Sequence, residues 1–185
     1  VDELAEAGAQ FILNINASPY SQGKRAVREA MVRRRAAEGT VPIAYVNLVG
    51  GQDELIFDGG SMVIAADGSV VAQSSMFDEK VLIADFAVGD ERPSETEPIT
   101  VTERSSASMV GLPPVIELAP DPMAELWGAL VLGTRDYVRN NGFTDICFGL
   151  SGGVDSTLVA AIAAEALGPE HVHALLMPSR YSSEH

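Results

Sequence analysis

The chain has 185 residues, 46% of them hydrophobic, which is enough for one large domain or two smaller ones. Its formal net charge of −14 disfavours nucleic acid as a partner, because a phosphate backbone would be repelled. No apolar run reaches the ~20 residues of a membrane span, and with Cys147 as the only cysteine no intrachain disulfide is expected. These features indicate a globular cytoplasmic protein that binds no membrane.

Residues 1–90 alternate between helical and strand patterns. Gly8 and Gly39 are predicted to end the two helices, and Ala66-Asp67-Gly68 is a turn signal typical of a hairpin. In chain order we expect a helix over 1–10, a strand over 11–15, a helix over 24–37, a strand over 42–49 buried on both faces, hairpin strands over 57–65 and 69–73, and a last strand over 79–86.

The second predicted helix carries an apolar stripe and a basic cluster. The stripe recurs at helical spacing, as expected for a core-facing side, and comprises Ala26, Val27, Ala30 and Met31. The basic cluster is expected to be a solvated face rather than a nucleic-acid site, and it comprises Lys24, Arg25, Arg28, Arg33, Arg34 and Arg35.

Residues 91–120 are rich in Pro, Ser, Thr and Glu and are longer than an ordinary connection, which predicts a linker. After it, Asp121 is expected to cap a helix that has Pro122 at its first position and ends near Gly142. A β-α-β unit of a parallel sheet follows, with a strand over 145–150, a helix over 154–167 and a strand over 171–177. The expected domains are 1–90 and 121–185, joined by the linker 91–120.

The segment Ser151-Gly152-Gly153-Val154-Asp155-Ser156 lies between the strand and the helix of that unit. Open α/β sheets bind ligands at the carboxyl ends of their strands, and a helix N-terminus presents free N–H groups and a positive dipole end. Gly152 and Gly153 would let an anion approach the backbone, and Ser151 and Ser156 would add hydroxyl donors. The segment therefore predicts a phosphate-binding loop.

The sequence around this segment excludes two common types of phosphate-binding loop. No lysine lies between Cys147 and His185, as a Walker loop would need, and the Gly-x-Gly-x-x-Gly spacing of a dinucleotide fingerprint is absent. Asp155 would repel phosphates unless a cation bridged them, so Mg²⁺ is expected there. The alternative interpretation is a helix cap and a tight turn without a ligand.

These six residues resemble the pyrophosphate loop of the N-type ATP pyrophosphatases, which split ATP to AMP and pyrophosphate while adenylating a substrate. Upstream, LNINASPYSQGKRAVREAMVRRRA and PIAYVNLVGGQDELIFDGGSMVIAADGSVVAQ resemble the second half of a nitrilase-superfamily amidase domain. Together the two parts resemble the glutamine-dependent NAD synthetases, whose segment after the second strand is similar to LLMPSRYSSEH. The resemblance covers nearly the whole chain.

The resemblance implies an α/β fold, in which the C-terminal half of a nitrilase-like α-β-β-α sandwich precedes the start of a Rossmann-like parallel domain of the adenine nucleotide alpha hydrolase type. It also implies a carbon–nitrogen ligase, an NAD synthase that hydrolyses glutamine. ATP would adenylate the pyridine carboxylate of deamido-NAD, and ammonia from glutamine would displace AMP to leave NAD. Such fused synthetases are generally homo-oligomers.

The resemblance also implies site residues. Ser18 and Lys24 match the glutamine-binding positions, where a hydroxyl and an ammonium can hold a carboxylate; a turn serine and a surface lysine are the alternative. Mg²⁺ would be held at Asp155 through the phosphates. The residues implied to bind ATP are Gly149, Leu150, Ser151, Gly152, Gly153, Val154, Asp155 and Ser156.

No residue of this chain is expected to be catalytic. By the resemblance, the glutaminase Cys, Glu and Lys should lie upstream of Val1, so we expect the chain to be an internal piece that is inactive and folds poorly alone. Cys147 is expected to be a small buried residue rather than a substitute nucleophile.

Several other residues keep two interpretations each. His171 and His173 share a strand face, but no third ligand supports a metal site. The acidic residues after the fourth element, expected in a loop or against the partner domain, are Asp53, Glu54 and Asp58. The residues that could receive an adenine edge, or be ordinary strand-end residues, are Leu176, Met177, Pro178 and Ser179. Arg180 could meet a phosphate, and no role is assigned to Tyr181, Ser182 and Ser183.

Two other functions stay open from the sequence. The amidase could be fused to a different ATP pyrophosphatase ligase, or the chain could be a nucleotide-binding module without catalysis. A tRNA substrate is disfavoured by the charge of −14.

Overall fold

The first half of the chain folds around a mixed sheet in this computed structural model, which describes residues 1–89, 97, 99–101, 111 and 113–177. Its elements are α1 (Asp2–Glu6), β1 (Ile12–Asn16), α2 (Lys24–Gly39), β2 (Ile43–Asn47), β3 (Val49–Gln52), β4 (Leu55–Asp58), β5 (Met62–Ile64) and β6 (Val70–Gln73). Four strands form one sheet in the order β1-β2-β5-β6, with β1 parallel to β2 and the other neighbours antiparallel. A separate antiparallel hairpin is formed by β3 and β4.

One face of this sheet packs against α1 and α2. The core at that contact comprises Ala5, Ile12, Val32, Ala36, Val41, Ile43, Tyr45, Met62 and Ile64. Successive side chains of a strand point to opposite faces, so Tyr45 is 2% exposed while Val46 is 42% exposed. The prediction that this strand is buried on both faces is wrong, because described residues cover only one face of the sheet.

The buried face of α2 differs from the predicted apolar stripe. Val27 and Met31 are exposed, whereas Arg25 and Arg28 are buried. The reason is a tertiary partner, since Arg28 forms an ion pair with the buried carboxylate of Asp58 on β4. The expectation of a wholly solvated basic cluster is therefore wrong for Arg25 and Arg28.

Two strand predictions also need correction. The predicted strand over 57–65 is divided between β4 and β5, because Gly59 and Gly60 both have φ +65° and turn the chain. Residues 79–86 form no strand. Their side chains alternate in exposure as in an extended chain, but no described segment forms a ladder with them.

The described end of the predicted linker lies along the edge of β6. Gln73 N donates to Val115 O at 2.8 Å, and Glu117 N donates to Gln73 O at 3.0 Å. Arg25 Nη2 donates to Glu117 O at 2.6 Å. Residues 115–117 are thus attached to the first half of the chain.

The second half contains α3 (Pro122–Asn140), β7 (Ile146–Gly149), α4 (Val154–Leu167), a 3₁₀ turn (Pro169–His171) and β8 (Val172–Leu175). β7 and β8 pair in parallel, which confirms the predicted β-α-β unit. Asp121 caps α3 as predicted, since its Oδ1 accepts from Met123 N at 3.0 Å and from Ala124 N at 3.1 Å. Cys147 on β7 is exposed rather than buried, because the described elements leave one face of this two-stranded sheet open.

Helix α3 packs against both α4 and the β3–β4 hairpin. Gly133 allows the close approach, because a Cβ added there would lie 2.9 Å from Ile56 Cδ1. Asp136 Oδ2 accepts from Gly51 N at 2.7 Å. α3 is therefore the element that joins the two halves. None of the helices in the described ranges is long and apolar enough to cross a membrane.

Candidate functional site

The predicted phosphate-binding loop leads from β7 into α4. β7 ends at Gly149, and α4 begins at Val154 after Gly153. Gly152 has φ +80°, a left-handed conformation that residues with side chains rarely adopt. Leu150 N donates to Leu175 O at 3.0 Å, which continues the parallel pairing beyond β7 and fixes the loop beside β8.

Hydroxyl groups organise this loop. Ser151 Oγ and Ser156 Oγ are 3.1 Å apart, and Ser156 Oγ donates to Gly153 O at 3.0 Å. Thr157 Oγ1 donates to the same carbonyl at 3.0 Å. The N-cap residue of α4 is a glycine and offers no capping side chain, so the N–H groups of the first turn remain available to an anion.

The loop is open to solvent. Ser151, Gly152, Gly153 and Asp155 are all exposed. Asp155 lies in the first turn of α4, and its carboxylate and the neighbouring hydroxyls are the oxygen donors that Mg²⁺ prefers. The structure thus brings the segment 149–156 into one exposed turn, and its binding of ATP stays a prediction.

The predicted glutamine-binding pair lies between β1 and α2. Asn47, at the end of β2, accepts from Ser18 N through Oδ1 at 2.8 Å and donates to Ser18 O through Nδ2 at 3.4 Å. Lys24 Nζ donates to Pro19 O at 2.7 Å, so its ammonium bends back toward the turn. The structure therefore brings Ser18 and Lys24 into one short turn, which we define as the glutamine turn, residues 18–24.

A buried ion pair is connected to this turn. Arg28 Nη2 lies 2.5 Å from Asp58 Oδ1 and 2.7 Å from Oδ2. Arg28 Nη1 donates to Gly59 O at 3.3 Å, and Asn47 Nδ2 donates to the same carbonyl at 3.1 Å. Ser18 is thus linked through Asn47 and Gly59 to the ion pair.

Tyr20 of the glutamine turn packs against Phe77 and lies near Glu125 of the second half of the chain. Its ring packs edge-on against Phe77, with ring centroids 5.6 Å apart. Burial, and then the neighbouring carboxylate of Glu125 on α3, raise the pKa of Tyr20 to about 12. Glu125 Oε1 also accepts from Gly23 N at 3.0 Å. Sequence reasoning missed Asn47 and Glu125, because their partners lie 29 and 102 positions away.

A cleft of about 360 Å³ opens at the carboxyl ends of β1 and β2. Polar side chains in its lining include Asn16, Asn47, Ser61 and Asp78. Ser18 and Lys24 do not line it. Asn47 therefore lines this cleft and also hydrogen-bonds to Ser18 of the glutamine turn.

The three acidic residues expected in one loop lie in two different places, a hairpin turn and a strand. Asp53, with φ +52°, and Glu54 form the turn of the β3–β4 hairpin. They line a cavity between that hairpin and α3. Asp58 is completely buried on β4, so its assignment to a loop is wrong.

His171 and His173 both approach Asp145. His173 Nε2 lies 2.9 Å and His171 Nδ1 lies 3.5 Å from Asp145 Oδ1. Hydrogen bonds from Thr144 and then His173 lower the pKa of Asp145 to about 2. Within the part of the chain that the structure describes, no group of three or more His, Cys, Asp or Glu is arranged to hold a metal ion.

The predicted adenine-edge residues are only partly described. Leu176 and Met177 follow β8 and are exposed. The other residues discussed from this segment lie outside the described residues: Pro178, Ser179, Arg180, Tyr181, Ser182 and Ser183.

Comparison with protein families divides the chain into two matched regions. The carbon-nitrogen hydrolase family matches residues 1–94, and the NAD synthase family matches residues 126–185. Because the first match alone covers 94 of the 185 residues, the chain belongs to the carbon-nitrogen hydrolase family, and it carries an NAD synthase region after it.

Proteins named glutamine-dependent NAD(+) synthetase match almost the entire chain. The chain is 42% identical to the protein of Synechocystis sp., over 99% of this chain and 30% of that protein. It is 41% identical to the protein of Rhodobacter capsulatus, over 98% of this chain and 30% of that protein. The chain thus spans about 30% of the length of these relatives.

Solved structures agree with this fold. The glutamine-dependent NAD+ synthetase of Acinetobacter baumannii, in complex with ADP, matches 98% of this chain with a TM-score of 0.77 and 35% identity, over 31% of its own length. A glutamine-dependent NAD(+) synthetase of Cytophaga hutchinsonii matches 97% of this chain, over 33% of its own length, with a TM-score of 0.68 and 20% identity. The predicted fold, part of a nitrilase-like domain followed by the start of an NAD synthetase domain, is confirmed.

Proposed function

We propose that the protein catalyses glutamine-dependent NAD synthesis. In this reaction ATP adenylates the pyridine carboxylate of deamido-NAD, and ammonia released from glutamine displaces AMP. The observation that carries the proposal is the exposed loop of residues 149–156 at the end of β7, in a chain whose residues 1–94 belong to the carbon-nitrogen hydrolase family. The 42% identity to a synthetase of this name over 99% of the chain supports the same reaction.

The adenylation step assigns roles to the loop. A carboxylate oxygen attacks the α-phosphorus of ATP and pyrophosphate leaves, so negative charge increases on the leaving group. The open N–H groups at the start of α4 and the hydroxyls of Ser151 and Ser156 would stabilise that charge. Asp155 would hold Mg²⁺, which neutralises the phosphates when bound. The residues proposed to bind ATP are Gly149, Leu150, Ser151, Gly152, Gly153, Val154, Asp155 and Ser156.

The glutamine turn is proposed to bind the α-carboxylate of glutamine. Lys24 would exchange its hydrogen bond with Pro19 O for the charged carboxylate, which is the stronger acceptor. Ser18 is held beside it by Asn47. Cys147 lies on β7 in the other half and is not assigned as the nucleophile. We therefore expect this chain by itself to hydrolyse no glutamine.

The remaining proposals concern the domain boundaries, the oligomeric state and the cellular location. The domains are proposed as 1–90 and 121–185 with 91–120 as the linker, which the family matches to 1–94 and 126–185 support. We propose a cytoplasmic homo-oligomer with no nucleic-acid or membrane partner. The exposed apolar side chains of Val27 and Met31 on α2 support association with another copy.

The test uses the full-length parent protein with ATP, Mg²⁺, deamido-NAD and either glutamine or ammonium, and follows NAD and pyrophosphate. We expect Asp155→Ala to lower NAD formation about a hundred-fold with either nitrogen source. Glu3→Ala, at an exposed carboxylate of α1, should leave it unchanged. Pyrophosphate formed only with another acceptor would indicate a different ligase, and no pyrophosphate with any acceptor would indicate a binding module.

A further inference from the structure

The glutamine turn is held by a carboxylate from the other half of the chain. Glu125 lies in the first turn of α3 and is 7% exposed. Its Oε1 accepts from Gly23 N at 3.0 Å. Gly23 has φ +75° and directly precedes Lys24, the first residue of α2. The contact therefore fixes the backbone at the residue immediately before Lys24.

The contact replaces a local helix cap. Gly23 is the N-cap of α2 and has no side chain, and no acidic residue lies in the first turn of that helix. A glutamate commonly accepts from the N-cap N–H within a single helix, and a negative charge is favourable at that end of the helix dipole. Here the carboxylate comes from α3, so the start of α2 is completed only when α3 is docked.

Glu125 lies near two buried side chains that carry hydrogen-bond donors, Tyr20 and Arg25. The neighbouring donors Tyr20 OH and Arg25 Nη1 are buried and have no hydrogen-bond partner among the described residues. Glu125 influences the ionisation of both side chains. A buried carboxylate without partners is costly, and Gly23 N–H supplies Glu125 with a hydrogen bond.

Helix α3 also contacts α4, the helix that follows the proposed phosphate-binding loop. Trp127 Nε1, two residues after Glu125, donates to Glu165 Oε2 of α4 at 2.8 Å. α4 begins at the loop of residues 149–156. One rigid helix therefore contacts both the glutamine turn and the helix that carries the phosphate-binding loop.

We propose that Glu125 is a positioning residue of the glutaminase site, which aligns Gly23 and hence Lys24 for glutamine from the synthetase half of the chain. This inference rests on the proposed role of Ser18 and Lys24 in binding glutamine. It assigns no catalytic role to Glu125.

The test compares three variants of the full-length parent protein. Glu125→Ala removes the acceptor, and Glu125→Gln keeps an oxygen for Gly23 N–H. The matched control is Asp136→Ala, which removes the 2.7 Å contact of another α3 carboxylate with a glycine N–H, that of Gly51, away from the glutamine turn. The readouts are KM for glutamine, NAD formation with ammonium, and the thermal midpoint of unfolding.

We expect Glu125→Ala to raise KM for glutamine about ten-fold or more, the effect of losing a hydrogen bond to a charged group. Glu125→Gln should raise it less, because the acceptor remains. NAD formation with saturating ammonium should stay within about two-fold of the parent in both, since the ATP loop is untouched. Asp136→Ala should leave KM for glutamine unchanged.

Two results would overturn the proposal. One is an equal loss of glutamine-driven and ammonium-driven activity in Glu125→Ala, and the other is an equal rise of KM in Asp136→Ala. Either would mean that Glu125 only stabilises the contact between the two halves. A failure of the proposed function is distinguishable, because the unaltered parent would then form no NAD from glutamine.

Discussion

Asn47 and Ser18 hold each other through a reciprocal pair of hydrogen bonds, in which one side-chain amide both accepts from and donates to the backbone of the other residue. Asn47 is 5% exposed, and its own N–H donates to Ser61 Oγ at 3.0 Å. A carboxylate or an apolar side chain of the same size cannot make both bonds. The position of the glutamine turn thus depends on an amide at this one position of β2.

Replacing Asn47 should weaken the binding of glutamine, because Asn47 holds Ser18 in place. Asn47→Leu in the parent protein leaves Ser18 N–H without its partner and removes one of the two donors to Gly59 O. We expect the free energy of unfolding to fall by about 1–3 kcal/mol and KM for glutamine to rise about ten-fold. Kinetics and chemical denaturation measure the two effects. Asn14→Leu, at an exposed asparagine of β1, is the control, and a similar rise in KM there would contradict the assignment.

The Arg28–Asp58 pair should contribute strongly to stability only as a pair. Arg28→Met leaves the buried carboxylate of Asp58 without its partner, which should cost about 3–5 kcal/mol of unfolding free energy. The double change Arg28→Met with Asp58→Leu should recover part of that loss. Arg34→Met breaks an exposed pair with Glu38, which solvent screens, and should lower the free energy of unfolding far less than Arg28→Met does. Equal losses at Arg28 and Arg34, measured by chemical denaturation, would contradict this account.

The parts of the fold that sequence predicted best depend on local rules. Asp121 with Pro122 places the start of α3, and the helix over 154–167 has the predicted bounds. The predicted phosphate-binding loop could be recognised from sequence because its strand, glycines and helix are adjacent in the chain. The turn of the β3–β4 hairpin was missed because Asp53 adopts φ +52° without a glycine to signal it.

The errors concern properties that depend on distant partners. The buried face of α2 follows from Asp58, 30 positions from Arg28, and not from the apolar stripe of Val27 and Met31. Residues 79–86 have the alternation of a strand, but a strand also needs a neighbour, and the edge of β6 pairs instead with residues 115–117. Periodicity records which residues are apolar, whereas pairing is decided by the whole fold.

The lowered pKa of Asp145 should depend on its hydrogen bond with Thr144. Thr144→Val removes the largest cause of the shift, so the pKa should rise from about 2 toward 3.8. A carboxyl with a lowered folded-state pKa stabilises the fold fully above its unfolded pKa and loses that contribution as pH falls toward about 2. Carboxyl-carbon NMR titration gives the measurement, with Asp67 as the internal reference. An unchanged Asp145 titration would assign the shift to the histidines instead.

Gly152 should be the glycine of the proposed phosphate-binding loop that tolerates substitution least. Its φ of +80° would cost an alanine about 1–2 kcal/mol, and relief of that strain would shift the N–H groups proposed to bind phosphate. We expect Gly152→Ala in the parent protein to raise KM for ATP about ten-fold and to leave ATP-independent glutamine hydrolysis unchanged. Gly89→Ala is the matched control, because a Cβ added there meets no atom within 4 Å. If Gly152→Ala binds ATP normally, the turn does not need the left-handed conformation to receive phosphate, and the proposed role of the loop would have to rest on Ser151, Asp155 and Ser156 alone.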